Sequence, residues 1–157
     1  MDHRLAGVLT AVAALAALGV AYFAQYVLRL TPCELCLLER WPYRIVIVLG
    51  LLGTLARPRT TRIILGMAGL VMLADVLIAG LHVGVEFNWW PSPLPECNGE
   101  LIPGAALPMT PATPCDRPVD LIHGLPISMA QMDFCAAVLF SILLLTYAAQ
   151  KKTRRFR

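Results

Sequence analysis

Residues 63–85 read IILGMAGLVMLADVLIAGLHVGV, a run in which Asp75 is the only aspartate, glutamate, lysine or arginine. The hydrocarbon core of a bilayer is about 30 Å thick, and a helix crosses it with roughly 20 mostly apolar residues. Three further runs of this character lie at about 5–28, 37–56 and 127–149. Together these runs predict four transmembrane helices.

The overall composition agrees with a membrane protein. Of the 157 residues, 58% are hydrophobic and 15% are charged, whereas about 25% of a typical soluble domain is charged. Four spans leave little chain for a second domain. We therefore predict an all-α integral membrane protein, a four-transmembrane-helix bundle that forms a single domain over residues 1–157, with a long proline-rich loop at about 86–126 between helices 3 and 4.

The basic residues predict the orientation of the bundle. If there are four spans, nine of the thirteen lysines and arginines lie on one side of the membrane. Because positive charge accumulates on the cytoplasmic side, we expect both termini to be cytoplasmic. The basic tail, KKTRRFR, also resembles an arm that binds nucleic acid. Because basic residues commonly flank the cytoplasmic end of a membrane span, we expect no nucleic-acid partner. The first span is longer than the apolar region of a typical signal peptide, so we expect it to be a transmembrane helix.

The loop at about 86–126 has an unusual composition. Eight of the twelve prolines lie between Pro91 and Pro118, which favours stiff, extended chain. The three tryptophans, Trp41, Trp89 and Trp90, fall at the outer ends of the predicted spans. Tryptophan is enriched at the headgroup level of membranes, so we expect this end of the bundle to lie at the outer membrane surface.

Four of the five cysteines lie at this outer end. Residues 31–44, TPCELCLLERWPYR, carry Cys33 and Cys36, and the loop carries Cys97 and Cys115, whereas Cys135 lies inside the fourth span as a small apolar side chain. Disulfides persist in the bacterial periplasm, and a C-x-x-C pair is typical of redox-active thiols. The pairs are also compatible with structural bridges or with a zinc site, although Cys97 and Cys115 lie eighteen positions apart and do not form a second zinc knuckle.

An arginine follows the C-x-x-C at helical spacing. If the second span begins near Cys36, this cysteine lies in the first helical turn, where the helix dipole favours a thiolate, and Arg40 shares its face. Pro42 opposes this geometry because proline kinks a helix interior. The sequence carries no flavin, haem-attachment or nucleotide motif. A lipid-soluble quinone is therefore the electron acceptor that we expect, with Arg40 holding the charge that develops on its oxygens.

These motifs resemble those of DsbB-type disulfide bond formation proteins. Residues 33–40, CELCLLER, match a C-x-x-C-x-x-[EQ]-R hallmark; residues 90–93, WPSP, resemble the entry to the large periplasmic loop of that family, and residues 128–130, SMA, resemble the head of its fourth span. The resemblance covers nearly the whole chain. It implies a protein of the bacterial inner membrane, with both cysteine pairs facing the periplasm.

The resemblance also implies a relay of electrons. A periplasmic thioredoxin-like thiol oxidase of the DsbA type is the implied partner, and its thiolate attacks the Cys97–Cys115 disulfide at Cys97. The loop pair then passes electrons to Cys33 and Cys36. Cys36 is the implied quinone-facing thiolate, beside Arg40, and ubiquinone or menaquinone is the implied acceptor. No metal is implied.

Two other readings of the sequence stay open. The first is a non-enzymatic membrane scaffold braced by structural disulfides or zinc, and the second is a quinone reductase similar to vitamin-K-epoxide reductase. The roles of three polar residues also stay open. We expect Asp75 to have a hydrogen-bonding partner inside the bundle, and we expect His82 and Glu86 to lie at the membrane interface, where the histidine is also a candidate proton relay.

Overall fold

The computed structural model describes residues 2–98, 114–119 and 127–150. These residues form five α-helices, one 3₁₀ turn at Pro95–Asn98 and no strand. The helices are α1 (His3–Tyr26), α2 (Glu34–Leu38), α3 (Arg40–Leu55), α4 (Pro58–Glu86) and α5 (Met129–Ala149). Most of the predicted loop at 86–126 and the basic tail at 151–157 lie outside the described residues.

Three helices of the described chain have the length and the apolar composition needed to cross a membrane. They are α1, α4 and α5. The α3 helix has 16 residues, which is about 24 Å at 1.5 Å per residue and less than the hydrocarbon core requires. The all-helical class that the sequence predicts is confirmed, with three candidate spans and two shorter helices, α2 and α3, among the described residues.

The predicted second span at 37–56 is not one continuous helix. Helix α2 ends at Leu38, and α3 begins at Arg40 after a break at Glu39. Proline has no N–H and clashes with a preceding helical turn, but it is tolerated in the first turn of a helix. Because α3 begins at Arg40, Pro42 falls in that first turn. Cys36 lies in the first turn of a helix, as the sequence predicts, but that helix is the short α2 and not the start of a continuous second span.

The helices pack in the order α1, α3, α4, α5, each along the next. A close approach of α1 to α3 depends on glycine, because a Cβ atom on Gly7 would lie 2.8 Å from the carbonyl oxygen of Gly50. Small and medium apolar side chains fill the centre of the bundle, among them Ala14, Val46 and Met72. Large apolar side chains such as Leu55 and Leu77 are exposed on the outside, as expected for a surface that faces lipid.

Hydrogen bonds tie the end of α4 to the start of α5. Ser128 donates its hydroxyl to a carboxylate oxygen of Glu86 at 2.5 Å. The same hydroxyl oxygen accepts the backbone N–H of Gln131 and so caps α5. The backbone N–H of Met129 donates to the carbonyl of Val119 at 2.9 Å, which brings the segment 114–119 to this end of the bundle. We call this end, which also carries α2, the cysteine end.

Candidate functional site at the cysteine end

Two disulfides lie side by side at the cysteine end. Cys33 bonds Cys36 and Cys97 bonds Cys115, with a Cα–Cα distance of 5.1 Å in each pair. Both pairs belong to one apolar cluster with Leu35 and Val85. Four cysteines from three separate segments of the chain thus meet in one place. Cys135 is a free cysteine on the exposed face of α5, away from this cluster.

The local fold around the C-x-x-C explains how its first cysteine is held. Cys33 has extended backbone and is the N-cap of α2, and its sulfur accepts the backbone N–H of Cys36 at 3.2 Å. Cys33 is buried, whereas Cys36 is half-buried. The two sulfurs of the bridge therefore differ in access, and Cys36 is the more exposed of the two.

A buried histidine and a buried glutamate stand behind Cys33. His82 Nε2 lies 3.5 Å from the sulfur of Cys33, and His82 Nδ1 lies 2.7 Å from Glu39 Oε1. The side chains of His82 and Glu39 are 3% and 8% exposed. A carboxylate only accepts hydrogen bonds, so the Nδ1 atom carries the proton that is donated to Glu39. In the neutral ring the lone pair of Nε2 then faces the sulfur. His82 is buried inside the bundle, and its expected depth at the membrane interface stays a prediction.

Arg40 is buried beside this chain of contacts but points to another helix. Its guanidinium donates to the side-chain oxygen of Gln25 at 2.6 Å and lies 5.0 Å from the ring centroid of Tyr22. Among the described residues its Nε atom has no hydrogen-bonding partner, although it is buried. The neighbouring Glu39 and Arg40 therefore do not pair with each other. Glu39 contacts α4, and Arg40 contacts α1.

A cavity opens between these groups and the bundle. It has an empty volume of about 760 Å³, counting the space at its mouth, and apolar side chains of α1 form much of its wall. The polar and sulfur-bearing side chains that line it include Cys33, Cys36, Glu39, Arg40, Tyr43 and His82.

Two acidic residues lie deeper in the bundle. Asp133 lines the cavity and accepts the hydroxyl of Tyr43 at 2.7 Å, while its second oxygen is buried with no partner among the described residues. Asp75 is fully buried, and neither of its oxygens has a partner in the described part of the chain. The expectation that Asp75 has a hydrogen-bonding partner in the bundle is therefore not met within these residues. Carboxyl groups inside a membrane are rare and face the bundle interior.

The structure thus brings together four of the predicted site residues in two bridges and sets Arg40 on the wall of the adjoining cavity. Sequence reasoning missed Gln25, Tyr43 and Asp133 as parts of this site. The available signal was their position, since each is a polar side chain in or beside an apolar run, and such side chains usually face the interior of a bundle.

Comparison with known proteins assigns the chain to a family. The family model described as disulfide bond formation protein DsbB matches residues 3–147. The chain belongs to the DsbB family. Its helices of spanning length and its two cysteine pairs fit that family, and it is accordingly a bacterial inner-membrane protein of the disulfide bond formation class.

Individual relatives match to different extents. A disulfide bond formation protein B of Herminiimonas arsenicoxydans is 32% identical over 48% of this chain and 48% of its own length. An uncharacterized protein of Rickettsia prowazekii is 33% identical over 45% of this chain and 40% of its own length. Disulfide bond formation protein B 1 of Pseudomonas fluorescens is 32% identical over 94% of this chain and 91% of its own length. The chain thus spans less than two thirds of the first two relatives and nearly all of the third. No solved structure matches the chain.

Proposed function

We propose that this DsbB-family chain reoxidises a periplasmic thioredoxin-like dithiol oxidase and passes the electrons through its two cysteine pairs to a membrane quinone. The observation that carries this proposal is the position of the Cys33–Cys36 disulfide. It forms part of the wall of a cavity that also contains the buried Arg40, and it packs in the same cluster as the Cys97–Cys115 disulfide. The proposed entry point for thiol electrons and the proposed quinone site thus lie next to each other.

The proposed topology is a single four-helix domain over residues 1–157, with four spans and both termini cytoplasmic. Helices α2 and α3 together form the second span, because residues 34–55 supply about 22 residues and roughly 33 Å of helix. The cysteine end and the proline-rich loop then face the periplasm. The basic residues of the 57–62 link lie at the opposite end of α3 and α4, which agrees with a cytoplasmic location.

The residues of the cavity fit a quinone. Its wall of apolar side chains suits an isoprenoid ring compound. Quinone oxygens accept hydrogen bonds, and the buried Nε atom of Arg40 is a donor with no partner among the described residues. When bound, ubiquinone or menaquinone would accept two electrons and two protons.

The cysteine pairs carry the electrons by two thiol–disulfide exchanges. A thiolate of the reduced partner attacks Cys97, which breaks the Cys97–Cys115 bond and, once the partner's disulfide closes, leaves both loop cysteines reduced. The loop dithiol then reduces the Cys33–Cys36 bond in the same way and recovers its own disulfide. Each exchange moves two electrons. The Cys33–Cys36 dithiol closes again when the quinone takes these two electrons and two protons.

The neighbouring residues position this last step. His82 Nε2 faces the sulfur of Cys33, so it is placed to accept the thiol proton of Cys33 when the pair is reduced. Glu39 fixes the orientation of the imidazole through Nδ1. Arg40 supplies positive charge at the cavity wall, where negative charge develops on a quinone oxygen.

Quinone reduction by the purified chain tests the proposal, with a reduced thioredoxin-like oxidase as the electron donor. Cys36→Ser should abolish turnover, while Cys135→Ser, a matched change at the free cysteine, should leave it unchanged. The double variant Cys97→Ser/Cys115→Ser should fail with the protein donor, yet its chemically reduced Cys33–Cys36 pair should still be reoxidised by quinone.

Thiol alkylation separates the relay from a structural scaffold. In a relay, the cysteines become alkylatable after incubation with the reduced partner and are protected again when quinone is added. Full turnover in Cys36→Ser, or bridges that stay blocked throughout, would refute the proposal and favour the scaffold.

A further inference from the structure

A third potential metal ligand, His82, lies beside the two cysteines of the C-x-x-C pair. Cys33, Cys36 and His82 place one sulfur or nitrogen atom each within 4.8 Å of one another. We propose that, once the Cys33–Cys36 bond is reduced, these residues bind one Zn²⁺ ion, and that this ion holds the pair in the dithiol state. The inference rests on the proposed function only in requiring that the pair cycles between disulfide and dithiol.

The distances suit tetrahedral zinc. Zn–S bonds of about 2.3 Å and Zn–N bonds of about 2.0–2.1 Å at the tetrahedral angle put the sulfur and nitrogen ligands about 3.5 Å apart. His82 Nε2 and the sulfur of Cys33 are 3.5 Å apart. The two sulfurs of such a site lie about 3.8 Å apart by the same geometry. Cysteines whose Cα atoms are 5.1 Å apart reach that separation by side-chain rotation once the bridge is open.

The protonation of His82 also suits a metal ligand. With the Nδ1–H group donating to Glu39, the neutral ring presents the lone pair of Nε2 to the sulfur of Cys33. A carboxylate that accepts the second ring N–H is the usual outer-shell partner of a zinc-bound histidine, because it fixes the ring and raises its basicity. Both side chains are buried. The ring is therefore held in its ligating orientation before any ion arrives.

The site exists in one redox state only. A disulfide offers no thiolate, so the oxidised chain lacks two of the three ligands. Binding to the dithiol forms two Zn–S bonds and one Zn–N bond, releases the two thiol protons and moves no electrons. With both sulfurs on zinc, neither is free to attack, and oxidation of the pair by quinone stops. Cys33, Cys36 and His82 all line the cavity, from which water would supply a fourth ligand.

This site differs from a zinc site built by all four cysteines. It leaves Cys97 and Cys115 in their bridge and adds a histidine from α4. The C-x-x-C spacing is typical of zinc ligands, but its histidine lies 46 residues beyond Cys36 in the sequence (82 − 36). Only the packing of α4 against α2 brings the third ligand to the pair.

Zinc binding by the purified full-length chain tests the inference. The chain carries Cys97→Ser, Cys115→Ser and Cys135→Ser, so that Cys33 and Cys36 are its only cysteines. It is reduced with a phosphine, which requires neither partner protein nor quinone, so a failure here is distinct from a failure of the relay. We expect one Zn²⁺ per chain in the reduced state and none in the oxidised state. Stoichiometric zinc in the oxidised state would overturn the inference.

Substitutions identify the ligands. Glu39→Gln should weaken zinc binding by about 10-fold, the lower end of the range for an outer-shell partner, and His82→Ala should weaken it by more than about 100-fold. Glu34→Gln and His3→Ala are the matched controls, and each should change affinity by less than about twofold. Unchanged affinity in His82→Ala would exclude the histidine as a ligand.

X-ray absorption gives a readout that does not depend on the folding of a variant. With zinc on the chain that retains His82, two sulfur ligands and one imidazole nitrogen are expected, and a spectrum without imidazole overturns the inference. The zinc-loaded dithiol should also resist reoxidation by quinone until a chelator is added. Reoxidation at the metal-free rate with zinc still bound would show that the ion does not hold the pair reduced.

Discussion

The contact between Glu39 and His82 allows a quantitative prediction about the stability of the bundle. The perturbation is a double-mutant cycle in the oxidised chain, made of Glu39→Ala, His82→Ala and the double variant. Each single change removes the hydrogen bond between the two side chains. The coupling energy is the difference between the effect of the double variant and the sum of the two single effects. It isolates this bond from the cavities that each alanine leaves.

The structure sets the magnitude. The bond is 2.7 Å long, and its two side chains are 3% and 8% exposed. Water therefore competes little for this hydrogen bond in the folded state. Hydrogen bonds to charged groups contribute about 1.5–3 kcal/mol. We therefore expect a coupling energy in this range, which corresponds to a factor of roughly 10–150 in the unfolding equilibrium. Glu39→Gln keeps a neutral acceptor and should lose about half of it.

Helical circular dichroism along a titration from mild micelles into dodecyl sulfate measures the free energy of unfolding of each variant. The control cycle uses Glu34, an exposed residue of α2, in place of Glu39. The coupling of Glu34 to His82 should stay below about 0.5 kcal/mol. A Glu39–His82 coupling energy as small as that of the control would refute the reasoning, because the two side chains would then not be bonded in the folded protein.

Three further predictions follow from other contacts. Gln25→Ala removes the one described hydrogen bond of Arg40 and should raise the KM for quinone about 10-fold with little change in kcat, because a charge-assisted bond contributes at least about 1.5 kcal/mol. An unchanged KM would show that Gln25 does not position the arginine. Asp75→Leu replaces a buried carboxyl group by an apolar group of similar shape and should raise the free energy of unfolding by about 1–3 kcal/mol, so a less stable variant would point to a partner. Gly7→Ala should destabilise the bundle by about 1–3 kcal/mol through its clash with Gly50, whereas Gly19→Ala, which has no atom within 4 Å of the added Cβ, should not.

The amino-acid sequence by itself determined the helical membrane class and the cysteine motif from which the chemistry is proposed. Apolar runs of spanning length predict helices because a helix in lipid must satisfy its own backbone. The spacing in residues 33–40 predicts a redox-active pair with an arginine one turn on, since these relations are local in the chain. Local reasoning also detected the conflict at Pro42, but it predicted a kink, whereas the helix breaks at Glu39 and restarts.

Only the tertiary structure decided which side chains meet around that pair. Glu39 and His82 are 43 residues apart, and Tyr43 and Asp133 are 90 residues apart. The pattern of a helix tells which of its faces is apolar, but it contains no information about which helix packs against that face or at what height. Arg40 therefore reaches Gln25 on α1 while its neighbour Glu39 reaches α4. The physical reason is that consecutive helical residues point about 100° apart, so adjacent charges in the sequence acquire different partners once the bundle closes around them.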